Sequence, residues 1–222
     1  MKFFNQVSDD AAELWIYDTI GESYWFDAVS ANDIRHELAA LGSIKELVLR
    51  INSEGGSVFD GLAIFNMLRD HPAHITAKVD GVAASIASVI CCAADVVQMQ
   101  TASWLMIHQP WSAVSGNADE LRNTADVLER VGEELITAYQ TKAALSRENL
   151  KSMMDAETWL NAEEATDYGF CDVTNDVAIA ARAARTEWLG EYRRAPELIA
   201  APIPAKRLAS QRRMKVERAI LS

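Results

Sequence analysis

Two short segments carry residues whose type and position suit nucleophilic chemistry. Ser85 follows a β-like run and the turn sequence Asp80-Gly81, and it stands two residues into a predicted helix. A hydroxyl there lies at the carboxyl edge of a sheet, beside backbone N–H groups that favour an alkoxide. His108 ends the strand-like sequence WLMIH, at an element boundary of the kind where functional residues often lie. On composition alone Ser88 is an equal candidate for the nucleophile.

A glycine pair and two acids complete the set of candidates. Gly55-Gly56 follows a strand-like run directly and precedes a helical one, so its amides could point to the same edge as Ser85. The phosphate-loop patterns GxxxxGK[ST] and GxGxxG are both absent. Asp155 and Glu157 come just after a predicted short helix. The histidines lack the spacing of metal ligands, so neither a metal nor another cofactor is predicted.

The elements that must position these residues alternate between β-like runs and helical periods. Strands are predicted over residues 14–20, 44–51, 75–79, 96–100 and 104–108. Helices are predicted over residues 33–41, 58–69, 83–94, 148–154 and 162–168. Strands that alternate with helices of about a dozen residues imply crossover connections and a largely parallel sheet, so the fold class is α/β.

A longer amphipathic helix is predicted over residues 119–145. At 27 residues it is too long to lie wholly against one small domain. A helix that projects from the body usually packs on another subunit, which predicts a homo-oligomer.

Charge divides the chain into two parts. The 222 residues fit one domain with an appendage, and the formal net charge of −11 makes nucleic acid or an anionic membrane a poor partner. From Val177 onward ten basic residues face four acidic ones, which leaves a tail of +6 and a body of −17. Three of the five prolines fall in residues 195–204, as in a linker. The predicted domains are residues 1–175 and a basic tail, residues 176–222.

Cysteine usage and hydropathy indicate the compartment. The three cysteines lack the spacing of a disulfide framework, and no apolar segment reaches the length of a membrane span. The first ten residues lack the apolar stretch of a secretory signal. These features predict a cytoplasmic protein.

Four motifs occur in an order that resembles the ClpP family of serine peptidases. They are residues 51–56 (INSEGG), 81–85 (GVAAS), 106–110 (MIHQP), and 159–165 (WLNAEEA) with 168–172 (YGFCD). The resemblance covers about residues 14–172. It implies a ClpP/crotonase-like spiral of ββα units with a protruding handle helix, which agrees with the long helix above.

The same resemblance implies roles for the candidate residues. Ser85 would be the nucleophile and His108 the general base, which later protonates the leaving amine. The backbone N–H groups of Gly56 and Ile86 would form the oxyanion hole. The family implies no cofactor and no metal.

The acid of the triad depends on the alignment. Without gaps, the match to the WLNAEEA motif puts Met153 where family members have aspartate. A two-residue deletion brings Asp155 to that place, and Asp155 is the predicted acid. Glu157 is the alternative.

Three departures from the housekeeping members favour a phage or prophage branch. Glu54 stands where those members usually have proline, the leader before Leu14 is short, and the basic tail is foreign to them. The main prediction is therefore a self-processing or ATP-independent endopeptidase of phage head maturation, in the host cytoplasm. It would form a ring homo-oligomer, with stacked rings, that cleaves capsid or scaffold proteins and contacts them through its tail.

Three alternatives stay open. The first is an ATPase-coupled housekeeping protease subunit. The second is an acyl-CoA enzyme of the crotonase fold, since one fold hosts several chemistries. The third is a scaffold protein with a degenerate protease fold.

Overall fold

The computed structural model describes residues 4–22 and 28–175, together with Tyr192 and Arg194, and contains both helices and strands. The strands in these residues are β1 (Phe4–Ser8), β2 (Ala11–Ile16), β3 (Thr19–Ile20), β4 (Ala28–Val29), β5 (Glu46–Ser53), β6 (His74–Ala84), β7 (Val96–Gln100), β8 (Trp104–Ile107), β9 (Thr158–Asn161) and β10 (Val173–Asn175). The helices are α1 (Ala31–Leu41), α2 (Val58–Arg69), α3 (Ile86–Cys91), α4 (Ala118–Tyr139), α5 (Arg147–Asp155) and α6 (Ala162–Asp167).

One large sheet organises these elements. Its strands follow the order β1, β2, β5, β6, β7, β10, and β8 lies between β6 and β9. Strand β1 pairs antiparallel with β2, and β9 pairs antiparallel with β8. The other pairs of this sheet are parallel. The predicted α/β class with a largely parallel sheet is confirmed.

The core forms because β5 presents alternate side chains to the helices. Leu47, Leu49 and Ile51 are completely buried, and they share one hydrophobic cluster with residues of α1 and α2 such as Ile34 and Ile64. Truncating a side chain of this kind to alanine costs about 2 to 5 kcal/mol, because a cavity adds to the lost transfer free energy.

The intervening side chains of the sheet hold a polar cluster. Arg50 binds the carboxylate of Asp80 in a bidentate manner, at 2.7 Å from Nε and 2.6 Å from Nη2. The hydroxyl of Tyr17 donates to the same carboxylate, whose side chain is only 5% exposed. Burial, and then the bond to Asp80, raise the pKa of Tyr17 well above its ordinary value. The cluster fastens the end of β2 to β5 and β6.

Helices α2 and α3 pack unusually closely. A Cβ at Gly61 would lie 2.0 Å from Cγ1 of Ile86, so only glycine fits at that point of α2. Helix α2 begins after its N-cap Ser57, whose hydroxyl accepts from the amide of Asp60 at 3.3 Å. The contact thus sets the start of α2 against the start of α3.

Two predicted helices were too long. Residues 83–94 were predicted as one helix, but β6 extends through Ala84 and α3 contains only Ile86–Cys91. The small apolar residues of this run suit a buried strand as well as a helix, so periodicity does not separate the two. Helix α4 has 22 residues and ends at Tyr139, where the chain turns toward α5.

Helix α4 divides into an exposed and a packed half. From Ala118 to Arg130 nearly every residue is exposed, whereas Gly132, Leu135 and Tyr139 are buried. The first half therefore projects from the body of the described residues, as the sequence predicted.

The predicted tail, residues 176–222, lies almost wholly outside the described residues. Within the part of the chain that the structure describes, no helix is both long and apolar enough to cross a membrane. The same part contains no group of three or more His, Cys, Asp or Glu side chains arranged to hold a metal ion.

Candidate active site

The candidate residues meet because parallel strands end at one edge of the sheet. Gly55 and Gly56 follow β5, Ser85 follows β6, and His108 follows β8. The register pairs Ala84 of β6 with Met106 of β8. The next residues of both strands therefore emerge side by side.

Ser85 and His108 are in hydrogen-bond contact. Oγ of Ser85 lies 2.7 Å from Nε2 of His108. This is the distance that a general base requires for the proton of a hydroxyl.

Ser85 has an unusual backbone conformation. It is the N-cap of α3, not a residue inside the helix, and its φ of 55° and ψ of −128° are strained for a residue with a Cβ. Such strain costs about 1 to 3 kcal/mol and persists only where neighbours impose it. Here the amide of Ser85 donates to the carbonyl of Met106 at 3.0 Å. The sharp turn from strand to helix presents Oγ to His108, as in other nucleophile turns.

The structure separates Ser85 from Ser88. Ser88 is completely buried, and its Oγ lies 2.6 Å from the carbonyl oxygen of Ser85 and 2.9 Å from that of Met106. Its hydroxyl is therefore engaged with the backbone, whereas the hydroxyl of Ser85 faces the imidazole.

The glycine turn lies directly against Ser85. The amide of Ile20 donates to the carbonyl of Gly55 at 2.7 Å, and that of Ser57 donates to the carbonyl of Ile20 at 2.8 Å. In this parallel bridge the N–H of Gly56 points away from Ile20. A Cβ at Gly55 would lie 2.8 Å from Cβ of Ser85 and 3.3 Å from the nitrogen of Ile86. Only glycine allows this approach, with φ values of 103° and 142° at the pair.

Polar side chains that the sequence analysis did not single out hold this turn. The hydroxyl of Ser53 donates to the carbonyl of Asp18 at 2.7 Å and accepts from the amide of Gly55 at 3.1 Å. The amide oxygen of Asn52 accepts from Val82 N–H at 3.2 Å. Their only signal in the sequence is their place in the motif, directly before the glycines.

Glu157 is the acid whose charge acts on His108. Strands β8 and β9 pair Ile107 with Thr158, so His108 and Glu157 both adjoin the last pair of these two strands. Burial disfavours the imidazolium and lowers the pKa of His108 below its ordinary value of 6.5, and the charge of Glu157 partly offsets this shift. The side chain of Glu157 also accepts from Nε1 of Trp159 at 3.4 Å.

Asp155 makes different contacts. Its carboxylate accepts from Nε2 of Gln109 at 2.8 Å and pairs with Nζ of Lys151, also at 2.8 Å. The hydrogen bond from Lys151 is the main cause that lowers the pKa of Asp155. The side chain of Asp155 is half exposed, so it lies at the surface beside the loop that contains His108.

Comparison with known proteins gives a consistent result. A sequence model of the Clp protease family matches residues 12–177. The chain belongs to the Clp protease family. Members of this family are serine peptidases, and the ClpP-like fold predicted from the motifs is confirmed.

Curated relatives and a solved structure agree with the family. An ATP-dependent Clp protease proteolytic subunit of Bacteroides fragilis is 31% identical over 151 residues, which are 66% of this chain and 73% of that protein. A proteolytic subunit 1 of Chlamydia abortus is 35% identical over 130 residues, 57% of this chain and 68% of its own length. The structure of a ClpP1 point mutant from Listeria monocytogenes superposes with a TM-score of 0.65 at 24% identity, covering 75% of this chain and 92% of that one.

The titration of His108 tests which acid acts on it in this Clp protease family member. NMR of the imidazole should give a pKa below 6.5, because burial disfavours the charged form. Glu157→Gln should lower that pKa further, since the nearby negative charge is lost. Asp155→Asn is the matched control and should leave it unchanged. If only Asp155→Asn lowered the pKa of His108, the result would identify Asp155 as the acid.

Proposed function

We propose that the chain is an active serine endopeptidase in which Ser85 is the nucleophile and His108 the general base. The observation that carries the proposal is the 2.7 Å contact between Oγ of Ser85 and Nε2 of His108 at the carboxyl edge of the sheet. Membership of a serine peptidase family supports it. The same contact favours a peptidase over the acyl-CoA enzyme and the degenerate scaffold, because neither needs a serine paired with a histidine.

The reaction follows from the positions of these atoms. Oγ of Ser85 attacks the scissile carbonyl carbon while its proton passes to Nε2 of His108. The imidazolium then gives that proton to the leaving amine, and the C–N bond breaks to leave an acyl-enzyme. Water attacks the ester in the second half, with His108 again as the base. The burial that lowers the pKa of His108 favours the neutral imidazole, which suits this role.

The backbone N–H groups of Gly56 and Ile86 are proposed to bind the oxyanion. The glycine turn lies against Ser85 and Ile86, and the N–H of Gly56 points away from Ile20. Donors held in this way are worth about 3 to 4 kcal/mol each, because they are aimed where charge develops.

For the third member of the triad we propose Glu157 in place of Asp155. Glu157 and His108 adjoin the last pair of β8 and β9, and the charge of Glu157 acts on the imidazole; both observations support Glu157. The carboxylate of Asp155 is occupied by Lys151 and Gln109. A carboxylate beside Nδ1 would hold the tautomer in which Nε2 can accept the proton of the serine.

Replacing the nucleophile tests the proposal directly. Ser85→Ala should abolish labelling by a fluorophosphonate and reduce peptide hydrolysis by about a thousandfold or more, because no alkoxide can form. Ser152→Ala, on the exposed face of α5, is the control and should label as the wild type does. Labelling that persists in Ser85→Ala would contradict the assignment.

The projecting half of α4 supports assembly into a homo-oligomer, proposed as stacked rings. Leu121 and Val127 on this helix are 43% and 52% exposed, and Trp111 in the preceding loop is 63% exposed. Exposed large apolar side chains on a projecting element are typical of an interface. The loop that carries Trp111 begins directly after His108, so an assembly contact there would border the active site.

Charge on this helix should weaken the assembly. The double variant Leu121→Lys with Val127→Lys is expected to shift native mass spectra toward smaller oligomers, because two lysines would be buried without partners. Asn123→Lys on the same exposed half adds a charge without removing an apolar side chain, and it should keep the wild-type mass. Assemblies of equal mass in all three proteins would exclude this helix from the interface.

The comparisons favour the ATPase-coupled alternative over head maturation. The relatives in Bacteroides fragilis and Chlamydia abortus are named proteolytic subunits of ATP-dependent Clp proteases. Glu54, one basis of the phage prediction, also has a local structural role, since its carboxylate accepts from the hydroxyl of Thr19 and ties the glycine turn to β3. We therefore propose an endopeptidase that acts on protein substrates with an ATPase partner.

Intact mass separates the two branches. If the chain is an ATPase-coupled subunit, wild type and Ser85→Ala should show the same mass apart from the substitution, and addition of a Clp ATPase with ATP should be needed to degrade a folded protein. Loss of a C-terminal fragment in the wild type alone would instead support self-processing and a capsid or scaffold partner for the tail.

A further inference from the structure

A buried chain of hydroxyl groups connects helix α4 to the nucleophile. The hydroxyl oxygen of Tyr139, in the last turn of α4, lies 2.8 Å from Oγ of Ser88. Oγ of Ser88 in turn lies 2.6 Å from the carbonyl oxygen of Ser85 and 2.9 Å from that of Met106. The hydroxyls thus reach both the nucleophile and the strand that carries His108.

The two carbonyls can only accept, so the protons that reach them come from the hydroxyls of Ser88 and Tyr139. Either hydroxyl can donate to the other across the 2.8 Å between their oxygens. The hydroxyl of Tyr139 also lies 3.4 Å from the carbonyl oxygen of Ser85. Removing the tyrosine hydroxyl would leave Ser88 less firmly oriented toward its two carbonyls.

The carbonyl of Met106 is the point where the two catalytic segments join. It accepts from the amide of Ser85 at 3.0 Å as well as from the hydroxyl of Ser88. Met106 stands two residues before His108 on β8. A shift at this carbonyl would change the distance between Oγ of Ser85 and the imidazole.

Burial makes these bonds difficult to replace. Ser88 is 0% exposed and Tyr139 is 1% exposed, so water cannot readily substitute for a lost hydroxyl. The ring of Tyr139 is fixed independently, by a T-shaped contact with Phe170 at 5.8 Å between centroids. Phenylalanine at position 139 would keep that packing and remove only the oxygen.

We propose that Tyr139 and Ser88 are positioning residues, which hold the strained backbone of Ser85 in register with the strand of His108. The inference rests on the proposed function, because it assigns these hydroxyls to the geometry of the same serine and histidine. It makes the packed end of α4 part of the framework of the active site.

The test compares two hydroxyls that join the end of α4 to α3. Tyr139→Phe removes the hydroxyl that lies beside Ser85. Thr141→Val, the control, removes a hydroxyl that donates to the carbonyl of Cys92 at 3.0 Å, at the far end of α3. Tyr139→Phe should slow fluorophosphonate labelling and kcat by about tenfold with little change in KM, because a small misplacement of the nucleophile acts on the chemical step. Thr141→Val should label at the wild-type rate. Thermal unfolding is measured for both.

The pair of hydroxyls gives a second, independent measurement. Ser88→Ala should slow labelling by at least as much as Tyr139→Phe, because Oγ of Ser88 contacts both carbonyls and the hydroxyl of Tyr139 reaches only that of Ser85. The double variant should lose less than the product of the two single losses, because the two hydroxyls are hydrogen-bonded to each other. Labelling of Tyr139→Phe at the wild-type rate overturns the inference, whatever its melting temperature. Labelling of Thr141→Val that is slowed as much as that of Tyr139→Phe also overturns the inference. A wild type that is not labelled overturns the proposed function as well, whereas a labelled wild type with normal Tyr139→Phe overturns only this inference.

Discussion

Along its eleven residues, β6 changes its neighbour on one side. It pairs with β7 from Thr76 to Val79 and then with β8 from Val82 to Ala84. The second pairing ends in the bond between the amide of Ser85 and the carbonyl of Met106. The contact between Ser85 and His108 depends on this change of neighbour, because it brings the strand that leads to His108 beside the end of β6.

Three further elements contribute to the same edge of the sheet. Strand β8 carries His108 out of the sheet next to Ser85, and its antiparallel partner β9 begins directly after Glu157, whose charge acts on the histidine. On the other side of β6, β5 brings the glycine turn to the same edge. The site is thus built from backbone hydrogen bonds between strands, and side chains of long reach are not needed to close it.

Strain and desolvation at this edge are balanced by the surrounding packing. Ser85 keeps a backbone conformation that costs free energy, and His108 is buried enough that its charged form is disfavoured. The contact of Gly61 with Ile86 and the hydroxyl of Ser88 hold α3 from two sides. Such an arrangement holds Ser85 in place and disfavours the charged form of His108.

The sequence by itself determined the α/β class, the limits of α2 and β7, and the serine and histidine that meet. These signals are local: apolar periodicity, cap residues and short motifs beside strand ends. The sequence did not separate strand from helix over residues 83–94, because small apolar residues suit both and only the pairing with β8 decides between them. The sequence also overestimated the length of α4, whose end depends on where the chain packs against α3.

The acid shows most clearly what tertiary structure decides. Asp155 and Glu157 are two residues apart in the same polar stretch, and composition gives no reason to prefer either. The preference for Glu157 comes from the register between β8 and β9 and from Lys151 one helical turn before Asp155, which holds that carboxylate at the surface. Likewise, composition alone does not separate Ser85 from Ser88, and the backbone turn at Ser85 directs one hydroxyl to the imidazole and the other to buried carbonyls. Motifs can name the residue types, but strand register and backbone conformation decide which atoms meet.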